Sequence, residues 1–93
     1  MYMYILKCAN NTYYTGSTKD LERRIEQHQT GFGANYTKKH LPVELVYFEK
    51  FDRIDFAFIR EKQVQNWSRK KKEALIKGEY ELLKKFSSSK SDE

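Results

Sequence analysis

Two short segments near the start of the chain, residues 2–8 and 12–17, are rich in aromatic and β-branched side chains, and little more than Asn10-Asn11 lies between them. So short a connection permits only antiparallel pairing, because a parallel crossover needs about a dozen residues or more. The chain therefore opens on a β hairpin, and everything that follows must pack on it.

The rest of the pattern supplies the partners. Ser17 or Thr18 is placed to cap a first helix over residues 19–29, with Asp20 and Glu22 in its first turn and Thr30-Gly31 at its end. Residues 31–35 break regular structure, and residues 36–40 suit a short helical turn. Pro42 precedes a third strand over 43–51. Asp52 is expected to cap a long helix running to about Trp67, with Ile54, Ala57, Phe58, Glu61, Val64 and Gln65 along one stripe. Ser68 and Gly78 bracket a further helix over 69–77, and a last short helix is expected over 79–86. The predicted fold is α+β, a small, mostly antiparallel three-stranded sheet flanked by helices in β-β-α-β-α order. A length of 93 residues suits one domain, expected over residues 1–86, with a disordered, serine-rich tail over 87–93.

Charge narrows the partners. There are 18 Lys and Arg against 13 Asp and Glu, and the surplus falls in the C-terminal helices, where residues 53–85 carry 10 basic and 5 acidic side chains. Such an excess favours phosphates, anionic lipid or acidic proteins. The single Cys8 excludes an internal disulfide and a cysteine-rich metal module, so a reducing, cytoplasmic setting is expected. Neither a signal peptide nor a membrane-spanning run is visible.

The informative positions are polar groups that interrupt the apolar pattern. On the first helix Leu21, Ile25 and His28 share a face that Arg24 borders, and on the long helix Glu61 occupies a slot between Phe58 and Val64. A carboxylate there must be paired, hydrated in a cleft or bound to a cation. Taken alone, these residues are better accounted for by a plain Arg24–Glu61 ion pair across a helix interface and a structural His28 than by an active site. The hairpin adds Tyr2, Tyr4, Tyr13 and Tyr14, whose phenols can serve as bases beside a cation or simply as good sheet formers. Gly16 in a strand marks a place where a ligand or another backbone comes close.

In this arrangement the chain resembles the GIY-YIG endonucleases. The two triplets that name the family correspond to Tyr2-Met3-Tyr4 and Tyr14-Thr15-Gly16, with Arg24 in Leu21-Glu22-Arg23-Arg24, His28 four residues on, and Glu61 on the later helix. The runs Tyr14-Thr15-Gly16-Ser17-Thr18, Gly33-Ala34-Asn35-Tyr36-Thr37 and Trp67-Ser68-Arg69 resemble its small stand-alone branch, and the likeness spans roughly residues 2–77. Tyr2 replaces the first glycine, Thr15 replaces the second isoleucine, and Glu73 stands where many members carry an asparagine. The resemblance implies a metal-dependent endonuclease acting on DNA, in a setting of repair or recombination. It implies Tyr4, Tyr14, Arg24, His28 and Glu61 as the catalytic set, with Glu61 holding one divalent cation, Mg²⁺ or Mn²⁺. The run Arg69-Lys70-Lys71-Lys72 with nearby Lys62 and Lys77 supplies the candidate phosphate contacts, salt-dependent if they are such and otherwise an ordinary solvated helix end, and Gly16 is a further candidate nucleic-acid contact. Two rivals remain open: a nucleic-acid-binding module without turnover, and an interaction domain in which Arg24 and Glu61 form a buried pair.

One expectation is independent of the resemblance. A two-residue turn at Asn10-Asn11 makes paired residue numbers sum to 21 and sends Tyr4 and Tyr14 to opposite faces; an odd loop or a bulge makes the sum 20 and puts both on one face. A shared site requires the second arrangement, which is the one expected.

Overall fold

A computed structural model of the chain describes residues 1–81 together with Leu83 and Lys84. Its elements are β1 (Tyr2–Lys7), β2 (Tyr13–Thr18), α1 (Leu21–Gln29), α2 (Asn35–Lys38), β3 (Glu44–Lys50), α3 (Ile54–Gln65) and α4 (Arg69–Lys77). The three strands form one antiparallel sheet in the order β2-β1-β3. The centre goes to β1, whose residues Met3, Tyr4, Ile5 and Leu6 are all buried. A strand covered on both faces must be apolar on both, and β1 is.

The hairpin turns through Ala9, Asn10 and Asn11. Cys8 and Thr12 close it, with the Cys8 N–H donating to Thr12 O at 2.8 Å and the Asn11 N–H donating to Cys8 O at 2.9 Å. Asn11 takes the left-handed conformation, φ 68°, which asparagine tolerates and a three-residue hairpin loop requires at its last position. The odd loop fixes the register: Tyr4 faces Gly16 and Leu6 faces Tyr14. Paired numbers therefore sum to 20, and the two tyrosines share a face, as expected. On the other side of β1 the pairing with β3 shifts between Ile5 and Leu6, leaving Val46 as a bulge.

Each sheet face has its own core. Tyr4, Leu6 and Cys8 pack with Val43, Leu21 and Ile25, which seats α1. Met3 and Ile5 pack with Val64 and Leu75, which seats α3 and α4, and Leu83 adds to the same cluster. Burying each such aliphatic side chain contributes roughly 1.5–3 kcal/mol.

Several boundaries differ from the sequence expectation, for local reasons. Asp20, not Ser17 or Thr18, caps α1 by accepting from the Arg23 N–H, while Thr18 bonds to Asp20 instead. Arg53, not Asp52, occupies the N-cap of α3, and no side chain bonds the helix from it. Ser68 and Gly78 bracket α4 as expected, with Ser68 accepting from the Lys71 N–H and Gly78 left-handed at φ 73°. Along α3 the expected stripe holds at Ala57 and Val64, but Phe58 and Gln65 are exposed. Of the helix expected over 79–86, Tyr80, Glu81, Leu83 and Lys84 are helical. The tail expected over 87–93 lies outside the described residues.

Candidate active site

The site is built around the consequence of that register. Because Gly16 lies across from Tyr4 and has no side chain, the Tyr4 ring swings over the glycine and into the space beside α1. There its hydroxyl meets His28 Nε2 at 2.8 Å. His28 reaches this point because it is one turn beyond Arg24 on the inner face of α1, and it is wholly buried. Its other nitrogen, Nδ1, lies 2.8 Å from the Thr37 hydroxyl on α2. Gly33 makes this approach possible, since a β-carbon at that position would run into His28 Nδ1. The Tyr14 ring packs edge-on against His28, centroids 5.3 Å apart.

Burial governs the protonation of these groups. Loss of solvent pushes the Tyr4 phenol up to about 12, against the pull of Arg24 and with added pressure from Tyr14 and Glu61. Tyr14 is raised too, first by burial, with Arg24 lowering it and Glu61 raising it. His28 is lowered to about 4 by burial and then by the positive charge of Arg24. The resting site is thus a neutral imidazole bonded to a neutral phenol. Arg24 and Glu61 both act on the two phenols, and Arg24 also acts on His28.

The anticipated Arg24–Glu61 pair is not formed. Arg24 Nη1 donates to Gln27 Oε1 at 3.1 Å, and Glu61 accepts from the Ser17 hydroxyl at 2.6 Å and lies 3.5 Å from Lys62 Nζ. Edge strand β2 lies between them: α1 covers one face of the sheet and α3 the other, so the two charges stand on different sides of it. Ser17, read from sequence as a helix cap, proves to orient the carboxylate.

The basic run divides. Arg69 is committed to the hairpin, donating to Asn11 O at 2.5 Å, pairing with Glu73 at 3.2 Å and lying 4.7 Å over the Tyr13 ring. Lys71 sits 4.2 Å over the Trp67 ring, Lys72 is half-buried with its pKa lowered by loss of solvent, and Lys70 is exposed. Lys62 alone of the expected phosphate ligands stands beside the site. Glu73, at the position of the family asparagine, accepts from the Tyr13 hydroxyl at 3.0 Å and so ties α4 to β2.

Thr37 and Gly33 were not among the expected site residues. Both lie in the 33–37 loop that marks the resemblance, but nothing in their spacing relative to His28 signals that they clasp its ring.

Among the described residues no cluster of three or more His, Cys, Asp or Glu side chains is arranged to hold a metal ion. Glu61 fits a different demand. It is a single carboxylate with 12% side-chain exposure. Mg²⁺ is commonly held by one or two carboxylates while it keeps several waters and takes substrate oxygens.

A sheet of this topology, with two tyrosines on one face, an arginine and a histidine from the following helix and a glutamate from α3, defines a GIY-YIG domain. The GIY-YIG catalytic domain profile matches residues 1–74, and the chain belongs to that family. Its relatives include a UPF0213 protein of Natronomonas pharaonis, 47% identical over 78 residues that cover 84% of this chain and 92% of that one. A UPF0213 protein of Staphylococcus saprophyticus is 49% identical over 75 residues, covering 81% and 92%. The solution structure of a UPF0213 protein from Bacillus halodurans superposes with a TM-score of 0.53 at 42% identity, over 82% of this chain and 81% of that one. The solution structure of a protein from E. faecalis gives 0.56 at 34% identity, over 85% and 84%. The family is one of nucleases, which act on nucleic acid and generally depend on a divalent metal. Among the described residues, no helix is long and apolar enough to cross a membrane.

Proposed function

We propose that this protein is a metal-dependent endonuclease that hydrolyses DNA phosphodiester bonds, the kind of cleavage that serves repair or recombination. The observation that carries the reading is the Tyr4–His28 hydrogen bond held within reach of the charges of Arg24 and Glu61.

Phosphodiester hydrolysis needs a deprotonated water, neutralisation of charge on the five-coordinate phosphorus and help for the departing oxygen. Tyr4 is the acceptor of the water's proton. As that proton arrives on the phenol oxygen, the phenol's own hydrogen passes to His28 Nε2, so no free phenolate is required of a group whose pKa stands near 12. The hydroxide oxygen bonds to phosphorus, and the bond to the leaving oxygen breaks with its electron pair. His28 is a weak base in the resting protein because burial, and after it the charge of Arg24, oppose its charging. A phosphate drawn to Arg24 offsets that charge and raises the affinity of His28 for the proton when it is needed. The Tyr14 hydroxyl has no protein partner among the described residues and is the group available to orient the water or a phosphate oxygen.

A divalent cation, Mg²⁺ or Mn²⁺ held by Glu61, would supply charge neutralisation at the phosphate and leaving oxygen. Ser17 and Lys62 hold that carboxylate in place, and Lys62 adds a contact to a flanking phosphate.

The test is nicking of supercoiled and branched DNA with Mg²⁺ or Mn²⁺, comparing the natural protein with Glu61→Ala and Tyr14→Phe. The natural protein is expected to cleave, Glu61→Ala to lose at least two orders of magnitude and Tyr14→Phe at least one. Salt-sensitive binding with no cleavage by the natural protein would instead describe a binding module.

A further inference from the structure

We propose that Thr37 is a positioning residue that locks His28 in the tautomer carrying its hydrogen on Nδ1, so that Tyr4 donates to Nε2.

The argument is a count of hydrogens along one buried chain of polar atoms. Tyr4, His28 and Thr37 are each at most 1% exposed. The chain runs from the Tyr4 hydroxyl to Nε2 at 2.8 Å, from Nδ1 to Thr37 Oγ1 at 2.8 Å, and from Thr37 Oγ1 to the Ala34 carbonyl at 3.0 Å. The last link has only one polarity, because a carbonyl oxygen can only accept. Thr37 has one hydroxyl hydrogen, and once it is given to Ala34 the Thr37 oxygen must accept from Nδ1. Nδ1 therefore carries the imidazole hydrogen, Nε2 is bare, and the Tyr4 hydroxyl donates to it. Every hydrogen in the chain then has an acceptor within the protein.

The opposite polarity is less complete. If Thr37 donates to Nδ1 and Nε2–H donates to Tyr4, the phenolic hydrogen is turned away from the chain. Its oxygen is then already engaged as an acceptor. The surroundings of that oxygen include the Arg24 guanidinium, which is itself only a donor. A buried hydroxyl hydrogen without an acceptor is disfavoured.

Gly33 and α2 make the lock rigid. The glycine leaves room for Nδ1 to approach Thr37, and the Ala34 carbonyl is fixed because it also accepts from the Lys38 N–H at 3.0 Å, as the first turn of α2. The catalytic consequence rests on the reading above: with its own hydrogen committed to Nε2, Tyr4 presents only lone pairs to a water. The tautomer itself does not depend on that reading.

The test is the two-bond ¹H–¹⁵N correlation spectrum of the imidazole in uniformly labelled full-length protein at neutral pH, which separates protonated from bare ring nitrogens. His28 is identified by the loss of its signals in His28→Gln. The natural protein is expected to show Nδ1 protonated and Nε2 bare. Tyr4→Phe removes the donor to Nε2 but leaves Thr37 as the acceptor from Nδ1, and is expected to keep Nδ1 protonated; adding Thr37→Val removes that acceptor and is expected to shift the hydrogen toward Nε2, whereas Thr37→Ser in its place is expected to keep the natural pattern. A natural protein with Nε2 protonated overturns the proposal without any variant. So does a Tyr4→Phe spectrum showing Nε2 protonated, or a Tyr4→Phe/Thr37→Val spectrum with the same tautomer as Tyr4→Phe alone. Because the spectrum needs neither DNA nor metal, a protein that shows the expected tautomer and yet fails to cleave would leave this inference standing and remove the nuclease reading.

Discussion

Gly16 and Tyr4 are direct partners across the hairpin, and a β-carbon on Gly16 would fall 2.5 Å from the Tyr4 hydroxyl oxygen and 2.6 Å from ring carbon Cζ. The glycine is thus the space that the phenol occupies. Tyr4 has little freedom to withdraw, since it is 1% exposed and bonded to a buried histidine. Gly16→Ala is therefore expected to destabilise the protein by about 1–3 kcal/mol through overpacking, less the few tenths that alanine gains over glycine in the unfolded chain. A fall in the denaturant midpoint at constant slope is the expected result, together with loss of cleavage as the ring is pushed off His28. A variant as stable and active as the natural protein would show that the ring and glycine are not stacked in this way.

The buried His28 makes stability depend on pH in a definite direction. Its folded pKa is about 4, below the 6.5 of an exposed histidine, so between these values the unfolded chain binds more protons. The contribution is full above about pH 6.5 and is lost as pH falls toward 4. Unfolding free energy is expected to drop by about 2 kcal/mol between roughly pH 7 and 5 from this group alone. His28→Gln should flatten that part of the profile, measured by denaturant titration at a series of pH values. An unchanged slope would mean that another group carries the dependence.

How much of this was legible in the sequence follows from what kind of information each feature uses. The strands, α1 and α4 announce themselves by periodicity and by caps such as Ser68 and Gly78, which act within a few residues. The shared face of Tyr4 and Tyr14 was also within reach, because register is arithmetic once the loop length is odd. The Arg24–Glu61 pair was a reasonable expectation from their chemistry and fails because β2 lies between their two helices, a fact of layer order rather than of composition. Ser17 illustrates the same limit: its spacing to Asp20 and Leu21 fits a cap, whereas its role is set by Glu61, 44 positions away. Thr37 and Gly33 escaped for a related reason. A threonine and a glycine in a loop carry no periodic signal, and their importance appears only when α2 folds back onto α1.

The two arginines of α3 and its cap separate a structural ion pair from a decorative one. Arg60 bonds Glu49 through two nitrogens, at 2.9 and 3.2 Å, with side chains only 25% and 22% exposed, and its guanidinium also lies 5.1 Å over the Trp67 ring. Glu49 in turn accepts from the Tyr47 hydroxyl at 2.5 Å, so the pair ties α3 to β3. Arg53 and Asp55 form a similar fork in open solvent, with exposures of 68% and 52%. Arg60→Ala is expected to cost about 1–3 kcal/mol, since it leaves a half-buried carboxylate without its cation. Arg53→Ala is expected to change stability far less, because solvent screens that pair. Equal effects in thermal or denaturant unfolding would contradict this distinction.

The same logic divides the basic residues by how much of their charge is still available to DNA. A lysine that neutralises a DNA phosphate releases the counterion condensed there and contributes about 0.9 to the slope of log affinity against log salt, whereas a cation already paired within the protein neutralises less phosphate charge. Lys70 is exposed, so Lys70→Ala is expected to reduce the slope by about 1 with little change in stability, and Lys62→Ala, which removes a charge partly paired with Glu61, is expected to reduce it by less. Arg69 is the opposite case. Its charge is paired with Glu73 and its fork holds the Asn11 carbonyl and covers Tyr13. Arg69→Ala should therefore loosen the hairpin from α4, lowering stability by about 1 kcal/mol, while changing the salt slope by much less than one. Fluorescence anisotropy with labelled duplex and single-stranded oligonucleotides, between about 50 and 200 mM salt, reads the slopes, and denaturant unfolding reads the stabilities. If Arg69→Ala removed a full unit of slope and left the unfolding midpoint in place, Arg69 would be a phosphate ligand and its contacts with the hairpin incidental.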